Sequence, residues 1–459
     1  MTPRLFRPLV ALLVLQISVV TFVYAQDALP SGQAEGRDIT VVLDTGMQRG
    51  RLRVAVPDAE TPIPFSLEAQ EATSRFSDVL RADLGSSGVF LVQGPQELEI
   101  LELEGDPEVD YPMYQSLGNE ILVETKAREE DGRLIVEGRV FTLDGGRSIL
   151  GKVYRDPTGF TLARRTAHTF SDEIVLAFTG RNGIARTSIA FHSDRQDPNG
   201  REIYLMDYDG FDERAITAHD TLSMSPDWSP KGDAITYMSY VGGAPGIYLV
   251  NIRDGVKAPV VATGDLNISP AFSPDGETVA FARSIGGGNT EIFVTNRDGS
   301  NLRRLTNYRG IDTNPAWSPT GRELAFTSNR AGSVQIYLMS AEGTDLRRVT
   351  FEGRYNDGVT WSPDGTKIAH SSRREDNLHD IAVTDLVTMQ TLYLTEGVPG
   401  SHEAPSFSPD GRKLAFASSR SSRQGTNVQI FIMDLDGGNW RQVTSEGNNF
   451  APSWSGYLD

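Results

Sequence analysis

The chain has 459 residues, with 43 Lys and Arg against 61 Asp and Glu, which gives a formal net charge of −18. Nucleic-acid binding is not expected of such an acidic chain, because a phosphate-binding surface needs clustered lysine and arginine. The sequence contains no cysteine, which excludes both a disulfide framework and a lipid anchor attached to a cysteine.

The first 25 residues predict a secretory signal peptide. Arg4 and Arg7 supply a positive start, residues 9–23 are almost entirely apolar, and Val23-Tyr24-Ala25 offers a cleavage site. The mature chain is therefore expected to begin near Gln26. A retained membrane anchor is the alternative, although this apolar stretch is slightly short for a membrane span. No later segment has the length and apolarity of a span, so the mature chain is expected to meet membranes only through its partners.

Residues 26–36 lack large apolar side chains and predict a flexible mature N-terminus. Residues 37–180 predict a mixed α/β domain. Its predicted strands are Ile39–Leu43, Leu52–Val56, Ile121–Thr125, Leu134–Thr142 and Ile149–Tyr154, and its predicted helices cover 67–84 and 158–178. Ser66 is expected to cap the first helix and Gly85 to end it.

One repeat dominates the rest of the chain. An aromatic-Ser-Pro motif begins at Trp228, Phe272, Trp317, Trp361 and Phe407, and a truncated copy, Trp454-Ser455-Gly456, lies near the end. The serines are 44 to 47 residues apart, a period that matches one four-stranded blade of a β-propeller. Each repeat contains four short apolar segments separated by glycine-containing turns, a pattern that predicts hairpins.

The ends of the repeat array predict how the ring closes. The repeat that opens at Thr187 has no first strand before it, and the segment Ala451–Trp454 has no strands after it. The C-terminal strand is therefore expected to complete the first blade, which removes the exposed sheet edges. The predicted fold is an α+β multidomain chain, with a mixed α/β domain before a six-bladed β-propeller over residues 184–459. An open solenoid is the alternative, but it needs polar caps that the sequence does not show.

The sequence predicts neither a catalytic site nor a metal site. Its 6 histidines are scattered without ligand spacing, and it contains no Gly-x-Ser-x-Gly motif. Two Asp-x-Asp-Gly segments, beginning at Asp207 and Asp434, suit hairpin turns better than calcium loops. We therefore expect no enzyme activity, no cofactor and no bound metal.

The loops from the fourth strand of one blade to the first strand of the next should gather at one mouth of the central channel, because each first strand is innermost. Their polar residues are candidates for a protein-binding face, although a solvated rim explains any single one. The candidates are His219, Asp220, Asn267, Arg309, Asp312, Asn314, Arg354, Asn356, Asp357, His402, Glu403, Asn448 and Asn449. The alternative function is binding of a small ligand or glycan in the channel, for which these loops offer mainly Tyr308, Tyr355 and Phe450 as aromatic groups.

Nearly the whole mature chain resembles the TolB family of the Tol–Pal envelope system. The repeated Trp/Phe-Ser-Pro-Asp-Gly segments are similar to its propeller repeats. More specific are Ala167-His168-Thr169-Phe170-Ser171-Asp172-Glu173 and the segment 183–190, which resemble the stretch linking the two domains of that family. The end of the first predicted helix, Ala82-Asp83-Leu84, and the C-terminal Pro452-Ser453-Trp454-Ser455 are also similar.

The resemblance implies a periplasmic, monomeric adaptor with two protein partners. The channel mouth would bind the peptidoglycan-associated lipoprotein Pal, and an N-terminal segment would bind the inner-membrane-anchored TolA. That segment is Arg37, Asp38, Ile39, Thr40, Val41, Val42, Leu43 and Asp44. Competition between its ordered and released states would couple the two partners and support outer-membrane integrity and invagination during cell division. Residues 26–36 are an extension that departs from the family pattern.

Overall fold

The computed structural model describes residues 50–61, 66–98, 111–131, 133–157, 160–264, 266–420 and 427–458. The predicted signal peptide, the segment 26–36, the predicted strand Ile39–Leu43 and the candidate partner segment 37–44 all lie outside the described residues. Among the helices within those ranges, none combines the length and the apolarity needed to cross a membrane.

The N-terminal region is a mixed sheet with helices, as predicted for the fold class. Its elements are β1 (Leu52–Ala55), α1 (Leu67–Ser86), β2 (Phe90–Gln93), α2 (Pro95–Leu98), α3 (Tyr111–Ser116), β3 (Ile121–Glu130), β4 (Arg133–Thr142), β5 (Arg147–Pro157) and α4 (Phe160–Thr179). The strand order is β2-β1-β3-β4-β5. Strand β1 is parallel to both neighbours, and β3, β4 and β5 are antiparallel.

The two ends of α1 show one prediction confirmed and one wrong. The hydroxyl of Ser66 accepts a hydrogen bond from the backbone N–H of Ala69 at 3.3 Å, so Ser66 caps the helix. Gly85 does not end it, because α1 continues to Ser86. The left-handed residue that follows α1 is Gly88, whose φ is +74°, and glycine adopts that conformation without steric cost.

The core of this domain lies where α1 and α4 cover one face of the sheet. Phe76 and Leu80 of α1 and Phe170 of α4 are fully buried against strand residues such as Val123. Helix α4 comes so close to β4 that a Cβ atom added to Gly138 would lie 2.5 Å from Cε1 of Phe170. The sheet therefore needs a residue without a side chain at this position.

The rest of the chain is a series of short strands. In chain order they are β6 (Ser188–Ser193), β7 (Glu202–Asp207), β8 (Arg214–Ala215), β9 (Ser223–Trp228), β10 (Ala234–Ser239), β11 (Gly246–Asn251), β12 (Lys257–Val261), β13 (Asn267–Phe272), β14 (Thr278–Gly286), β15 (Asn289–Asn296), β16 (Arg303–Arg304) and β17 (Asp312–Trp317). They continue with β18 (Glu323–Ser328), β19 (Gln335–Ser340), β20 (Arg347–Arg348), β21 (Asn356–Trp361), β22 (Lys367–Arg373), β23 (His379–Asp385), β24 (Thr391–Tyr393), β25 (His402–Phe407), β26 (Lys413–Ser418), β27 (Gln429–Asp434), β28 (Arg441–Gln442) and β29 (Asn449–Trp454).

These strands form six four-stranded antiparallel blades. Blades 2 to 6 are β9–β12, β13–β16, β17–β20, β21–β24 and β25–β28, and blade 1 joins β29 to β6, β7 and β8. The C-terminal strand pairs with β6, with Trp454 opposite Ile189 and Asn449 opposite Ser193. The predicted six-bladed propeller and its closure by the C-terminal strand are confirmed.

The two domains meet through a buried polar cluster. His168 of α4 donates from Nδ1 to Asp83 of α1 at 2.7 Å, and the hydroxyl of Tyr208 in blade 1 donates to the other oxygen of Asp83 at 2.7 Å. Arg164, one turn before His168, donates to Asp209 of blade 1 at 2.8 Å. Burial lowers the pKa of His168, but the hydrogen bond and charge of Asp83 outweigh burial and raise it above its usual value.

The linker between the domains is fixed by Asp172 of α4. Its carboxylate accepts hydrogen bonds from the backbone N–H groups of Ala185 at 2.8 Å and Arg186 at 3.2 Å. Burial raises the pKa of Asp172 even though these bonds favour the ionised form. The motif from Ala167 to Glu173 thus carries three structural roles within two turns of helix. His168 belongs to the polar cluster between the domains, Phe170 packs in the core, and Asp172 binds the linker.

Candidate functional site

The candidate site is the upper mouth of the channel, defined here as the end at which the first strand of each blade begins. The first strands β9, β13, β17, β21, β25 and β29 all start there, and the loops between blades meet at the same end. The domain joint contacts Tyr208, Asp209 and Asp434, which lie where third strands end, at the opposite side of the propeller. These joint contacts therefore leave the upper mouth uncovered.

Five predicted site residues are structural. Asn267, Asp312, Asn356, His402 and Asn449 each begin a first strand, and each has 0% of its surface exposed. Asn356 and Asn449 donate to the side-chain oxygens of Gln335 and Gln429 at 3.0 and 2.8 Å. Asp312 accepts two hydrogen bonds from Arg330, at 2.7 and 2.9 Å. These side chains hold the blades and do not point outward, which corrects the expectation that they offer contacts to a partner.

The other predicted residues remain at the surface to different degrees. Asp220, Arg309, Arg354 and Glu403 are exposed, whereas His219, Asn314, Asp357 and Asn448 are half-buried. In the part of the chain that the structure describes, neither Arg309 nor Arg354 has an ion-pair or hydrogen-bond partner for its guanidinium. These two arginines are the predicted cations that the fold leaves available for contact.

Apolar side chains surround the same mouth, and the sequence analysis missed them. They lie at the end of a second strand, in the turn that follows it, or in the loop before a first strand. The residues are Tyr240, Val241, Ile285, Ile311, Phe351 and Leu378. Phe351 is 63% exposed, although it lies only three residues from Arg354. Aromatic and arginine side chains together are enriched in the centres of protein interfaces.

A repeated buried network fixes the loops at this mouth. In five blades a threonine after the fourth strand accepts a hydrogen bond from a backbone N–H of the third strand at 2.8–3.0 Å. The same hydroxyl donates to an acidic or amide side chain near the start of the third strand, and the pairs are Thr217–Glu202, Thr306–Glu291, Thr350–Gln335, Thr395–Asp380 and Thr444–Gln429. The signal for it is a threonine after an apolar residue, as in Leu305-Thr306 and Val349-Thr350.

The network reaches the loops directly. Glu202 accepts from the backbone N–H groups of His219 and Asp220 at 2.6 and 2.9 Å, and Glu291 accepts from that of Tyr308 at 2.7 Å. Gln335 donates to the carbonyl of Gly353 at 3.1 Å. Since buried hydrogen bonds are costly to break, the exposed residues at the mouth sit on ordered backbone.

The channel itself is built from a bulge in every first strand. The third residue of each has a positive φ between 46° and 64°, and the six residues are Ser225, Ser269, Asn314, Gly358, Ala404 and Ala451. A proline follows in five of the six blades. Proline suits the innermost edge because it has no N–H to leave unpaired. The residues from these bulges to the ends of the first strands line a cavity of about 400 Å³.

One predicted residue, Asn314, lines the channel cavity, and it holds a second, Asp357, beside it. Asn314 accepts from the hydroxyl of Ser269 at 2.5 Å and donates to Asp357 at 2.6 Å. Asp357 also accepts from Thr327, from the backbone of Gly358 and from the hydroxyl of Tyr355. Burial and the charge of Asp357 raise the pKa of Tyr355 to about 12. The Asp357 carboxylate therefore already accepts four hydrogen bonds from neighbouring residues.

Burial favours the neutral form of the two predicted histidines at the mouth. Burial lowers the pKa of His402 to about 4 and also lowers that of His219, where Glu202 opposes the change. Glu403 accepts from His379 at 3.0 Å, and this bond lowers the pKa of Glu403. The positive charge at the mouth therefore comes from Arg309 and Arg354 and not from His219 or His402.

Comparisons with known proteins agree with this architecture. A family model described as the TolB amino-terminal domain matches residues 38–148, and one described as the TolB beta propeller domain matches residues 176–400. The crystal structure of TolB from Acinetobacter baumannii superposes with a TM-score of 0.75 at 26% identity, covering 89% of this chain and 97% of that one.

Two curated relatives carry the name Tol-Pal system protein TolB. The one from Jannaschia sp. is 32% identical over 227 residues, which is 46% of this chain and 50% of the relative. The one from Alcanivorax borkumensis is 32% identical over 281 residues, which is 61% of this chain and 53% of the relative. The matched part thus spans about half the length of these relatives.

Proposed function

This chain belongs to the TolB family, and from that premise we propose that it is a periplasmic adaptor of the Tol–Pal system. In this proposal the upper mouth binds Pal, the segment 37–44 binds TolA, and the chain acts as a monomer without catalysis. Its role is to couple the two partners and so to support outer-membrane integrity and invagination during division. The matches to both family domains and the names of the curated relatives support the system to which it is assigned.

The observation that carries the Pal site is the combination of available arginines and exposed apolar groups on ordered loops. Arg309 and Arg354 flank Ile311 and Phe351, and the backbone beneath them is tied to Glu291 and Gln335. Because the loops are ordered before binding, less conformational entropy is lost when a partner docks. A preorganised rim of this kind suits a protein partner better than a small ligand.

The double charge reversal Arg309→Glu and Arg354→Glu tests the Pal site. We expect the affinity for purified Pal to fall by about tenfold or more, because two favourable contacts become repulsive. Isothermal titration calorimetry would measure this, with circular dichroism to check folding. The matched control reverses Arg253 and Arg303, which are also exposed but lie on turns and strands away from the mouth. Unchanged affinity in the test variant would place the Pal site elsewhere, and no Pal binding by the wild type would favour the ligand-binding alternative.

A deletion of residues 26–44 tests the TolA segment. We expect loss of TolA binding, with Pal binding kept or strengthened, because the proposed contact with TolA is made by this segment alone. Pull-down with purified TolA and titration with Pal would measure both. A shorter deletion of 26–36 is the control, since it removes the extension and keeps the family-like segment. TolA binding that survives the longer deletion would show that TolA binds elsewhere on the chain.

A further inference from the structure

A cavity of about 350 Å³ lies in the joint between the two domains. Helix α4 contributes Thr161, Arg164 and Arg165 to its wall, and the linker and the start of blade 1 contribute Arg186 and Ser188. It is separate from the channel and from the upper mouth, and the proposed adaptor function does not use it. Any group bound there would touch both domains.

The wall of this cavity carries hydrogen-bond donors that the fold leaves unused. Arg164 is 6% exposed, and its Nε atom is buried without a hydrogen-bond partner. Arg165 is exposed, and in the described part of the chain its guanidinium has no ion-pair partner. The hydroxyls of Thr161 and Ser188 likewise make no hydrogen bond to any described residue. Because the Nε atom of Arg164 is buried, Arg164 contributes mainly positive charge to the wall, and Arg165, Thr161 and Ser188 contribute the donors that a bound group can reach.

The charges around the cavity determine whether a cation or an anion would bind there. His168, Asp207 and Asp209 place possible metal-ligand atoms within 4.8 Å of one another. However, the guanidinium of Arg164 already stands among them, 2.8 Å from Asp209 and 3.2 Å from the Nε2 atom of His168. A second cation would meet this fixed positive charge at short range, which is strongly unfavourable in a partly buried site.

The two acids on the cavity wall both face arginines, although Asp207 shares its arginine with Asp209. Asp207 lies 3.7 Å from Arg164, and Asp212 is ion-paired with Arg214. Arg186 makes one long contact to Asp172, at 3.4 Å, and its side chain remains 44% exposed. The cavity wall thus carries three guanidinium groups, those of Arg164, Arg165 and Arg186, against two carboxylates. Among the three, Arg165 has no ion-pair partner in the described part of the chain.

We propose that this interdomain cavity binds a small oxyanion, namely a carboxylate or phosphate group, through Arg164, Arg165, Thr161 and Ser188. Arginine presents a planar set of donors that matches such anions. Because α4 belongs to the first domain and Ser188 opens blade 1, the bound anion bridges the joint. Binding thereby stabilises the relative position of the domains by mass action.

The test measures thermal stability and binding of the full mature chain with sodium phosphate and with sodium succinate. Sodium chloride at equal ionic strength is the reference. We expect phosphate, succinate or both to raise the melting temperature above the chloride reference, and calorimetry to show saturable binding. Stabilisation by phosphate alone assigns a phosphoryl ligand, and stabilisation by succinate alone assigns a carboxylate ligand.

The variant Arg165→Gln makes the test specific. Since Arg165 is exposed, the variant is expected to fold with an unchanged melting temperature in chloride and to bind the anion about tenfold more weakly. Arg155→Gln, on the exposed face of β5, is the matched control and should bind normally. The proposal fails if neither anion stabilises the chain beyond chloride, if Arg165→Gln binds as tightly as the wild type, or if calcium chloride stabilises the chain and the anions do not.

Discussion

Gly138→Ala is expected to destabilise the N-terminal domain by about 1–3 kcal/mol, because over-packing a buried contact forces shifts that the core resists. The new methyl group would lie 2.5 Å from Cε1 of Phe170, whose ring is fully buried beneath α4. Neither neighbour is free to move, since Gly138 is paired to Thr125 and Lys152 on both sides and α4 carries the joint and linker contacts. Urea unfolding of the wild type and the variant would measure the change.

Two further variants test whether the destabilisation comes from the contact with Phe170 or from any side chain added to this sheet. Gly151→Ala is the control, because a Cβ atom at that position of β5 meets no atom within 4 Å, and we expect a change of less than about 0.5 kcal/mol. The double variant Gly138→Ala with Phe170→Leu should be less destabilised than the sum of the two single variants, since a smaller side chain makes room. Equal stability of Gly138→Ala and wild type would show that the helix does not need this close approach.

The propeller could be predicted from the sequence because its signals are local. A turn with glycine follows each aromatic-Ser-Pro motif, and the second strand comes directly after it. Strands β18 and β26, for example, each begin six residues after the aromatic residue of the motif before them, Trp317 and Phe407. The absence of a first strand before Thr187 predicted how the ring closes. In a closed ring, the segment that ends at Trp454 has to pair with the first blade, as it does.

The candidate site was harder to predict because burial is not local. Asn356 and Arg354 are two residues apart on one loop, yet one is fully buried and the other exposed. The difference arises from Gln335, which is far away in sequence and accepts from Asn356. The roles of glycines are equally hard to predict from the neighbouring sequence. Gly85 looked like a helix end but lies within α1, and nothing near Gly138 in sequence reveals that Phe170 packs on it.

The inner end of blade 2 carries a feature that no other blade shares. Asp227 is the fifth residue of β9, where the corresponding residues are Ala271, Ala316, Thr360, Ser406 and Ser453. Its carboxylate accepts from the backbone N–H of Phe272 at 2.7 Å, and no cationic side chain pairs with it in the described part of the chain. Burial raises the pKa of Asp227 to about 7, although the bonds from Phe272 and Ser453 oppose the change.

Asp227 therefore makes the propeller less stable as the pH rises. The folded state holds a proton on Asp227 up to a pKa of about 7, whereas the unfolded state releases it near the ordinary aspartate pKa of 3.8. The stabilising contribution is full below the unfolded pKa and is lost as the pH rises through the folded pKa. Because Asp227 keeps contact with the channel cavity, water there reduces the effect, and we expect on the order of 2 kcal/mol.

Asp227→Asn should remove this loss, because the amide oxygen can still accept from Phe272 and carries no charge. We expect the variant to match the wild type near pH 4 and to be more stable at pH 8, as measured by urea unfolding at both values. Asp364→Asn is a control of opposite sign, since burial raises the pKa of Asp364 but hydrogen bonds from Ser362 and Thr366 outweigh it and lower the pKa. That variant should lose more stability at pH 8 than at pH 3, because the contribution of a carboxylate with a lowered pKa declines as the pH falls below 3.8. An Asp227→Asn variant that is no more stable than wild type at pH 8 would mean that the channel hydrates the carboxylate, so that a charged group there costs the fold nothing.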